Sequence, residues 1–181
     1  TGMERGKEDC HIHMVLDGEN WKAAIQRHEN GPDRQWVRGI LEQYARAGYD
    51  YLRDGGDRWG VGAAARSLAG EYGIRYRTPL APLYHKGHYG SFIGVGFENV
   101  REYRELVCKN KEKDFVKIMI SGLMDFDRFG VLTQPGLTAG EIWELVHIAH
   151  EEGMAVMAHA NGARTVLAAA QAGVDSVEHG A

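Results

Sequence analysis

Helix-like stretches that end at a glycine and lead into a short apolar segment recur along this chain of 181 residues. The stretch 138–152 stops at Gly153 before an apolar run, and the Ala-rich stretch 161–172 stops at Gly173 before another. Glycine adopts the left-handed conformation that commonly ends a helix, and a short apolar run after it is typical of a buried strand. Because helix and strand alternate in this way, the sequence predicts an α/β fold built on a parallel sheet.

The same pattern predicts five helices and six strands in one domain covering residues 1–181. The predicted helices span 32–47, 61–72, 98–110, 138–152 and 161–172. The predicted strands span 8–15, 49–53, 75–80, 115–121, 154–158 and 175–178. Six strands fit either an open doubly wound sheet or part of a (β/α)8 barrel, which has eight strands when it is closed.

Four histidines and one lysine occupy similar places, on or just past the predicted strands. His11 and His13 lie in the first strand, and they share one of its faces because side chains alternate along a strand. Lys117 interrupts the apolar run of the fourth strand, while His159 and His179 follow the fifth and sixth. Taken singly, each residue has an ordinary interpretation as a strand residue, a lysine that reaches a strand end, or a helix cap. Their order along the strands favours a two-metal site, since neutral imidazoles suit zinc and similar ions.

This ligand order also decides between the two folds. In a barrel the C-terminal ends of strands 1, 4, 5 and 6 converge on one point, as a shared site requires. We therefore expect an incomplete TIM-type (β/α)8 barrel with a parallel sheet made of strands 1–6, in a chain that is a fragment of a longer protein. A doubly wound nucleotide-binding domain is disfavoured, because no Gly-x-Gly-x-x-Gly motif follows the first strand.

The ordered set of residues resembles the amidohydrolase superfamily, and within it the branch that contains imidazolonepropionase and the metal-dependent Xaa-Pro dipeptidases. The resemblance runs from Asp9 to Gly180. It is carried by Asp9-Cys10-His11-Ile12-His13, Val116-Lys117-Ile118, Ala158-His159-Ala160 and Val177-Glu178-His179-Gly180. It implies a metal-dependent hydrolase of C–N bonds, in an amide, a cyclic amide or a dipeptide, that uses a metal-bridging hydroxide on a binuclear site.

The resemblance also implies which residues hold the metal. His11 and His13 would bind one ion, and His159 and His179 the second. Lys117 would bridge the two ions as a carbamate formed with carbon dioxide. Burial among apolar side chains is expected to lower the pKa of this lysine, which makes the neutral amine accessible. We expect two divalent metal ions, with zinc as the first candidate, and carbon dioxide held as the lysine carbamate.

Three further residues are candidates for substrate binding. His88 follows the third predicted strand, and the resemblance implies that it contacts a substrate carbonyl, whereas a mobile loop is the alternative. Tyr89 beside it and Arg53 at the end of the second strand are the other two candidates. Asp54 either orients a ligand or caps the glycine turn that follows it. His28 is expected at the surface.

The resemblance implies one more residue that this chain lacks, an aspartate at the end of strand 8 that moves the proton during hydrolysis. The chain stops after the sixth predicted strand, so strands 7 and 8 and the usual flanking β-sandwich are absent from it. We therefore expect weak or no turnover from this chain alone. Unpaired sheet edges and uncovered apolar barrel interior also lead us to expect a homo-oligomer.

The composition of the chain argues against some classes of binding partner. A net charge of -4 and a pI near 6.1 give no basic footprint for nucleic acid or an anionic membrane. Two cysteines and no signal-like apolar start lead us to expect a cytoplasmic protein with reduced thiols. We expect a small-molecule amide or peptide-like substrate. A non-catalytic remnant that binds a metal or ligand and assembles with other chains is the alternative function.

Overall fold

The computed structural model describes residues 6–181, which divide into a first unit ending at Ala81 and a second unit, Pro82–Ala181. Each unit has its own parallel sheet flanked by helices, so the predicted α/β organisation with parallel sheets is confirmed. The described residues contain eight strands rather than the predicted six. They form one sheet of three strands and one of five, and closure into a barrel stays a prediction.

The first unit has a sheet in the order β1-β2-β3 with parallel pairing throughout. Asp9 pairs with Leu52 across β1 and β2, and Leu52 pairs with Tyr76 across β2 and β3. Leu52 is buried under the helices, so the middle strand anchors the core of this unit. The elements are β1 (Lys7–Ile12), α1 (Trp21–Arg27), α2 (Arg34–Arg46), β2 (Tyr49–Asp54), α3 (Val61–Ala69), a 3-10 turn (Gly70–Tyr72) and β3 (Arg75–Arg77).

The start of α2 shows how the first unit uses a buried histidine. Asp33 caps the helix, since its carboxylate accepts the backbone N–H groups of Gln35 and Trp36. The backbone N–H of Asp33 in turn donates to Nδ1 of His28 at 3.1 Å. His28 is fully buried, so the expectation of a surface position was wrong. Burial lowers the pKa of His28 and so favours the neutral ring, in which Nδ1 can accept this hydrogen bond.

The second unit has a parallel sheet in the order β5-β4-β6-β7-β8. Helix α5 begins with a complete capping box between Thr138 and Glu141, as the spacing predicted. The elements are β4 (Leu83–His85), β5 (Val95–Phe97), α4 (Val100–Lys109), β6 (Val116–Met119), α5 (Ala139–Glu151), β7 (Val156–Ala160), α6 (Ala163–Ala172) and β8 (Ser176–His179).

The two faces of this five-stranded sheet have different chemistry. Val116 and Ile118 of β6 belong to the apolar core that the sheet shares with its helices. Because side chains alternate, Lys117 and Met119 lie on the opposite face of the same strand. Met119 pairs with His159 of β7, so this face carries polar side chains on neighbouring strands.

Helix α1 and strands β4 and β5 were not predicted. Each of these strands has three residues, too few for an alternating pattern to show in the sequence. Among the described residues, none of the helices has the length and apolar character needed to cross a membrane.

Candidate functional site

The first unit places the rings of His11 and His13 side by side. His11 lies in β1, and His13 follows the strand directly. Their ring centroids are 5.2 Å apart with an interplanar angle of 56°, and both residues are half-buried. Two imidazoles at this separation offer a pair of nitrogen ligands of the kind that zinc prefers.

The end of β2 holds His13 closely. A methyl group at Gly55 would lie 2.3 Å from Cε1 of His13, so the ring packs directly on the glycine backbone. The backbone N–H of Gly55 donates to the carbonyl of Ile12 at 2.8 Å, which continues the pairing of the two strands. A side chain at position 55 would therefore displace the ring.

Asp54 is a buried carboxylate at the same place. Oδ1 accepts the backbone N–H of Met14 at 3.3 Å, and Oδ2 accepts the hydroxyl of Thr78 at 3.0 Å. Burial, and next the nearby carboxylate of Asp57, raise the pKa of Asp54 to about 7, against the hydrogen bonds from Gly56, Met14 and Thr78. Asp54 thus does more than cap the glycine turn, because it also bonds to the segments that follow β1 and β3.

The neighbouring Asp57 has a different structural task. Its carboxylate accepts the backbone N–H groups of Trp59, Val61 and Gly62 at the start of α3. Burial raises the pKa of Asp57 against these hydrogen bonds. Asp57 accordingly satisfies the first backbone N–H groups of α3, whose N-cap residue is Gly60.

Arg53, a predicted substrate-binding residue, makes a contact between strands. Its Nε donates to the carbonyl of Cys10 at 2.7 Å, which ties β2 to β1. A role of Arg53 in substrate binding stays a prediction.

The second unit carries Lys117 and His159 on one face of its sheet. Lys117 is 1% exposed and His159 is 2% exposed, although both are polar. Lys117 pairs with Met157, two residues before His159 on the adjacent strand, so alternation puts all three on the same face. A lysine that is this deeply buried needs a structural or chemical reason.

His179 joins this face through an unusual backbone. It pairs with Ala160, whose side chain belongs to the apolar core on the other face. Strict alternation would place His179 with Ala160, yet its ring centroid lies 4.7 Å from that of His159. His179 has φ 71°, a left-handed conformation that costs a non-glycine residue energy. This backbone is the local feature that accompanies the paired histidine rings.

A small network holds His159 against the loop after β6. Nε2 of His159 lies 3.1 Å from the carbonyl of Gly122, and Nδ2 of Asn161 donates to the same oxygen at 3.2 Å. The backbone N–H of Asn161 donates to the hydroxyl of Ser121 at 2.8 Å. Sequence reasoning missed Asn161 and Ser121, although Asn161, two residues after His159, has the spacing of a neighbour on the same face.

Tyr89 lies against the second histidine pair. Its ring centroid is 5.0 Å from that of His159, and burial raises the pKa of its hydroxyl. His88 instead packs edge to face on His85, with centroids 5.2 Å apart. A substrate role for His88 and for Tyr89 stays a prediction, and the structure puts Tyr89 beside a predicted metal ligand.

A buried carboxylate was also missed. Glu178 pairs with His159 across β7 and β8, is buried, and accepts the hydroxyl of Ser176. The signal lay in the sequence, since Glu178 precedes His179 inside a predicted strand.

The residues fit metal ions as pairs of imidazoles. Across residues 6–181, no cluster of three or more His, Cys, Asp or Glu side chains is arranged to hold a metal ion. Each pair therefore offers two of the ligands that a zinc site needs, and a further ligand must have another source. Lysine is not one of these four residue types. If Lys117 were carboxylated, it would provide oxygen ligands in the second unit.

Neither a protein-family model nor a curated protein matches the chain. Solved structures match its fold. They include ochratoxinase from A. niger (TM-score 0.75, 21% identity, 96% of this chain and 46% of that chain). A Xaa-Pro dipeptidase with bound methionine in its active site matches with TM-score 0.70 and 21% identity over 97% of this chain and 48% of that chain. A putative prolidase from Bifidobacterium longum matches with TM-score 0.59 and 21% identity over 97% of this chain and 40% of that chain.

These likenesses confirm the resemblance to the amidohydrolase and Xaa-Pro dipeptidase group at the level of fold. The chain spans about half the length of these solved structures or less. At such identities a shared fold leaves the chemistry to be argued from the site residues.

Proposed function

We propose that this chain is part of a metal-dependent hydrolase of the amidohydrolase superfamily that cleaves a C–N bond in an amide, a cyclic amide or a dipeptide. The observation that carries the proposal is the polar face of the second sheet. There a buried Lys117 shares the face with His159, and the ring of His179 lies beside it. The fold supports the proposal because solved amidohydrolases and dipeptidases share it.

The residues that would hold metal ions are the two histidine pairs and Lys117. His11 and His13 are proposed ligands of one divalent ion, and His159 and His179 of another. When bound, ions such as zinc would lower the pKa of a water molecule and polarise the scissile carbonyl. The expectation that all five residues share one centre stays a prediction.

Lys117 is proposed to react with carbon dioxide as the neutral amine. Burial disfavours the ammonium form of a lysine, and the neutral amine is the nucleophile that adds to carbon dioxide. An N–C bond forms, one proton leaves, and the product carbamate carries two oxygen ligands. A buried carbamate anion needs nearby cations, which is consistent with a site for divalent ions.

The loop after β6 sets the tautomer of His159. The carbonyl of Gly122 can only accept, so Nε2, at 3.1 Å, carries the hydrogen. Nδ1 then carries the lone pair, so Nδ1 is the atom that would bind a metal ion. The longer contact of 3.4 Å between Nε2 and the amide nitrogen of Asn161 joins two donors, so we treat it as packing.

Tyr89 is proposed to serve the substrate. Because burial raises the pKa of its hydroxyl, this group stays protonated and can donate a hydrogen bond. Its place against His159 makes a substrate carbonyl the natural acceptor.

A non-catalytic metal- or ligand-binding protein is the second candidate. It is favoured by the finding that the metal-ligand types within residues 6–181 occur in no cluster of three or more. Such a protein would bind an ion with fewer protein ligands and would hydrolyse nothing.

Metal analysis of the purified chain tests the proposal. We expect bound zinc or cobalt after dialysis, and loss of at least one equivalent in His159→Ala. His147→Ala is the matched control, because His147 stacks on Trp143 along α5, with ring centroids 4.5 Å apart. Equal metal content in both variants, or no metal in the wild type, would overturn the proposed metal binding.

Two further measurements separate the enzyme from the second candidate. In ¹³CO₂-saturated buffer, a carbamate carbon signal should appear in the wild type and vanish in Lys117→Ala. Release of free amine from a panel of N-acyl amino acids and Xaa-Pro dipeptides would identify the enzyme. Metal binding without any amine release would favour the second candidate.

A further inference from the structure

We infer that Asp54 is a positioning residue that holds His13 in its metal-binding arrangement. This inference rests on the proposed function, since it concerns one of the proposed metal ligands. A positioning residue acts through the ligand that it holds, and no contact with a metal ion is assigned to Asp54. It acts through the backbone on either side of the histidine.

The backbone of His13 is anchored from both sides by two consecutive residues, Asp54 at the end of β2 and Gly55 directly after it. Before the histidine, the carbonyl of Ile12 accepts the N–H of Gly55 at 2.8 Å. After it, the N–H of Met14 donates to Oδ1 of Asp54 at 3.3 Å. His13 is therefore the one residue between two hydrogen bonds to Asp54 and Gly55. Neither of its peptide planes can rotate without breaking one of these bonds.

The ring of His13 is fixed by the same segment. A methyl group at Gly55 would lie 2.3 Å from Cε1, 2.7 Å from Nε2 and 2.8 Å from Nδ1 of His13. The imidazole thus lies over the Cα of Gly55, in the space that any other residue would fill. Asp54 and Gly55, at the end of β2, therefore fix both the backbone and the ring of His13.

The carboxylate of Asp54 is itself held in place. Its Oδ2 accepts the hydroxyl of Thr78 at 3.0 Å, and that hydroxyl oxygen accepts the N–H of Leu80 at 3.1 Å. On the other side, a methyl group at Gly62 would lie 2.1 Å from Oδ2, so the start of α3 packs closely on the carboxylate. These contacts hold the carboxylate of Asp54 in place, and its hydrogen bond to Met14 in turn holds the backbone after His13.

Burying the carboxylate of Asp54 costs desolvation free energy, so its bonds must contribute something to the structure. A buried carboxylate is expensive unless its bonds repay the desolvation, and the sheet pairing of β2 does not require this side chain. Asp57, five residues before Gly62, shows the alternative case, since its buried carboxylate accepts the first backbone N–H groups of α3. Asp54 instead bonds to the segments that follow β1 and β3, and the first of these segments carries His13.

Zinc affinity and the state of the His13 ring test the inference together. Asp54→Ala should weaken zinc binding about 10- to 100-fold, the usual effect of removing a group that orients a metal ligand. Asp57→Ala is the matched control, because it removes a buried carboxylate from the same unit and leaves the neighbours of His13 in place. It should lower stability and leave zinc affinity within about twofold, a margin well below the effect expected for a lost orienting group. Competition against a chelator measures both affinities.

A second readout needs no metal. In metal-free protein, the imidazole nitrogen signals of His13 should shift in Asp54→Ala and keep their positions in Asp57→Ala, with His147, which stacks on Trp143 in the second unit, as internal reference. If Asp54→Ala does not fold, Thr78→Val removes the hydroxyl that holds the carboxylate of Asp54 and should move the same signals.

The outcomes separate the inference from the function. Wild-type protein that binds no zinc would count against the proposed function, while the His13 signals would still decide whether Asp54 positions the ring. Wild-type zinc affinity in Asp54→Ala, equal losses in Asp54→Ala and Asp57→Ala, or unchanged His13 signals would each overturn the inference.

Discussion

Replacing Asp54 with asparagine should flatten the pH dependence of unfolding of this chain. The carboxyl is buried in the folded chain and solvated in the unfolded chain, so the two states bind protons differently. Asparagine has nearly the same shape and does not titrate, so the variant lacks this contribution.

The magnitude follows from the raised pKa. Burial first, and then the charge of Asp57, raise the pKa of Asp54 from 3.8 to about 7. A change of this size corresponds to about 4 kcal/mol between the two protonation states, as an order of magnitude. Because the folded pKa is the higher one, the stabilising contribution is complete below about pH 4 and is lost as pH rises through about 7.

Urea unfolding of the metal-free wild type and Asp54→Asn at pH 5, 6, 7 and 8 measures the effect. The free energy of unfolding of the wild type should fall over this range, whereas that of the variant should fall less. Asp57 has the same sign of pH dependence, but it is present in both proteins and largely cancels in the comparison. The expected change in their difference between pH 5 and pH 8 is about 3 kcal/mol.

Thr78→Val provides a second check on the same carboxyl. The hydroxyl of Thr78 donates to Asp54 and so favours the charged form. Removing it should move the titration of Asp54 to higher pH and leave the slope of the unfolding free energy against pH unchanged.

Identical slopes of the unfolding free energy against pH in the wild type and Asp54→Asn would refute the reasoning.

Three other changes test separate parts of the structure. Lys117→Ala should lose at least one equivalent of bound metal by elemental analysis, and short carboxylic acids should restore part of it; unchanged metal content would exclude a carbamate ligand. Tyr103→Phe should leave the free energy of unfolding unchanged or raise it by about 1 kcal/mol, since the buried hydroxyl has no hydrogen-bond partner within residues 6–181. A clear loss of stability in urea would contradict this. Thr138→Ala should cost about 1 kcal/mol by removing the capping box of α5 with Glu141, and unaltered thermal unfolding would show that the cap contributes little.

The regular elements of this chain could be predicted from sequence because their signals are local. Gly153 and Gly173 mark helix ends at which the backbone turns left-handed, and Thr138 marks a helix start with its own side chain. Strands β4 and β5 escaped prediction because three residues contain too little alternation. What completes them is pairing with distant residues, such as Leu83 with Ile118.

In the candidate site, too, some relations between residues could be predicted from the sequence and others could not. Alternation along a strand relates His11 to His13 and separates Lys117 from its apolar neighbours, so these relations could be predicted from the sequence. The left-handed backbone of His179 could not be predicted, since strict alternation would put its ring on the other face from His159.

The sequence by itself determined which residues are candidate metal ligands and that each lies in or beside a strand. Only the tertiary structure decided what holds them in place. Asp54 and His13 are far apart along the chain, and their link runs through hydrogen bonds between strands and through the missing side chain of Gly55. Such links depend on distances of a few ångströms between residues remote in sequence, and a periodic pattern along one segment carries no information about them.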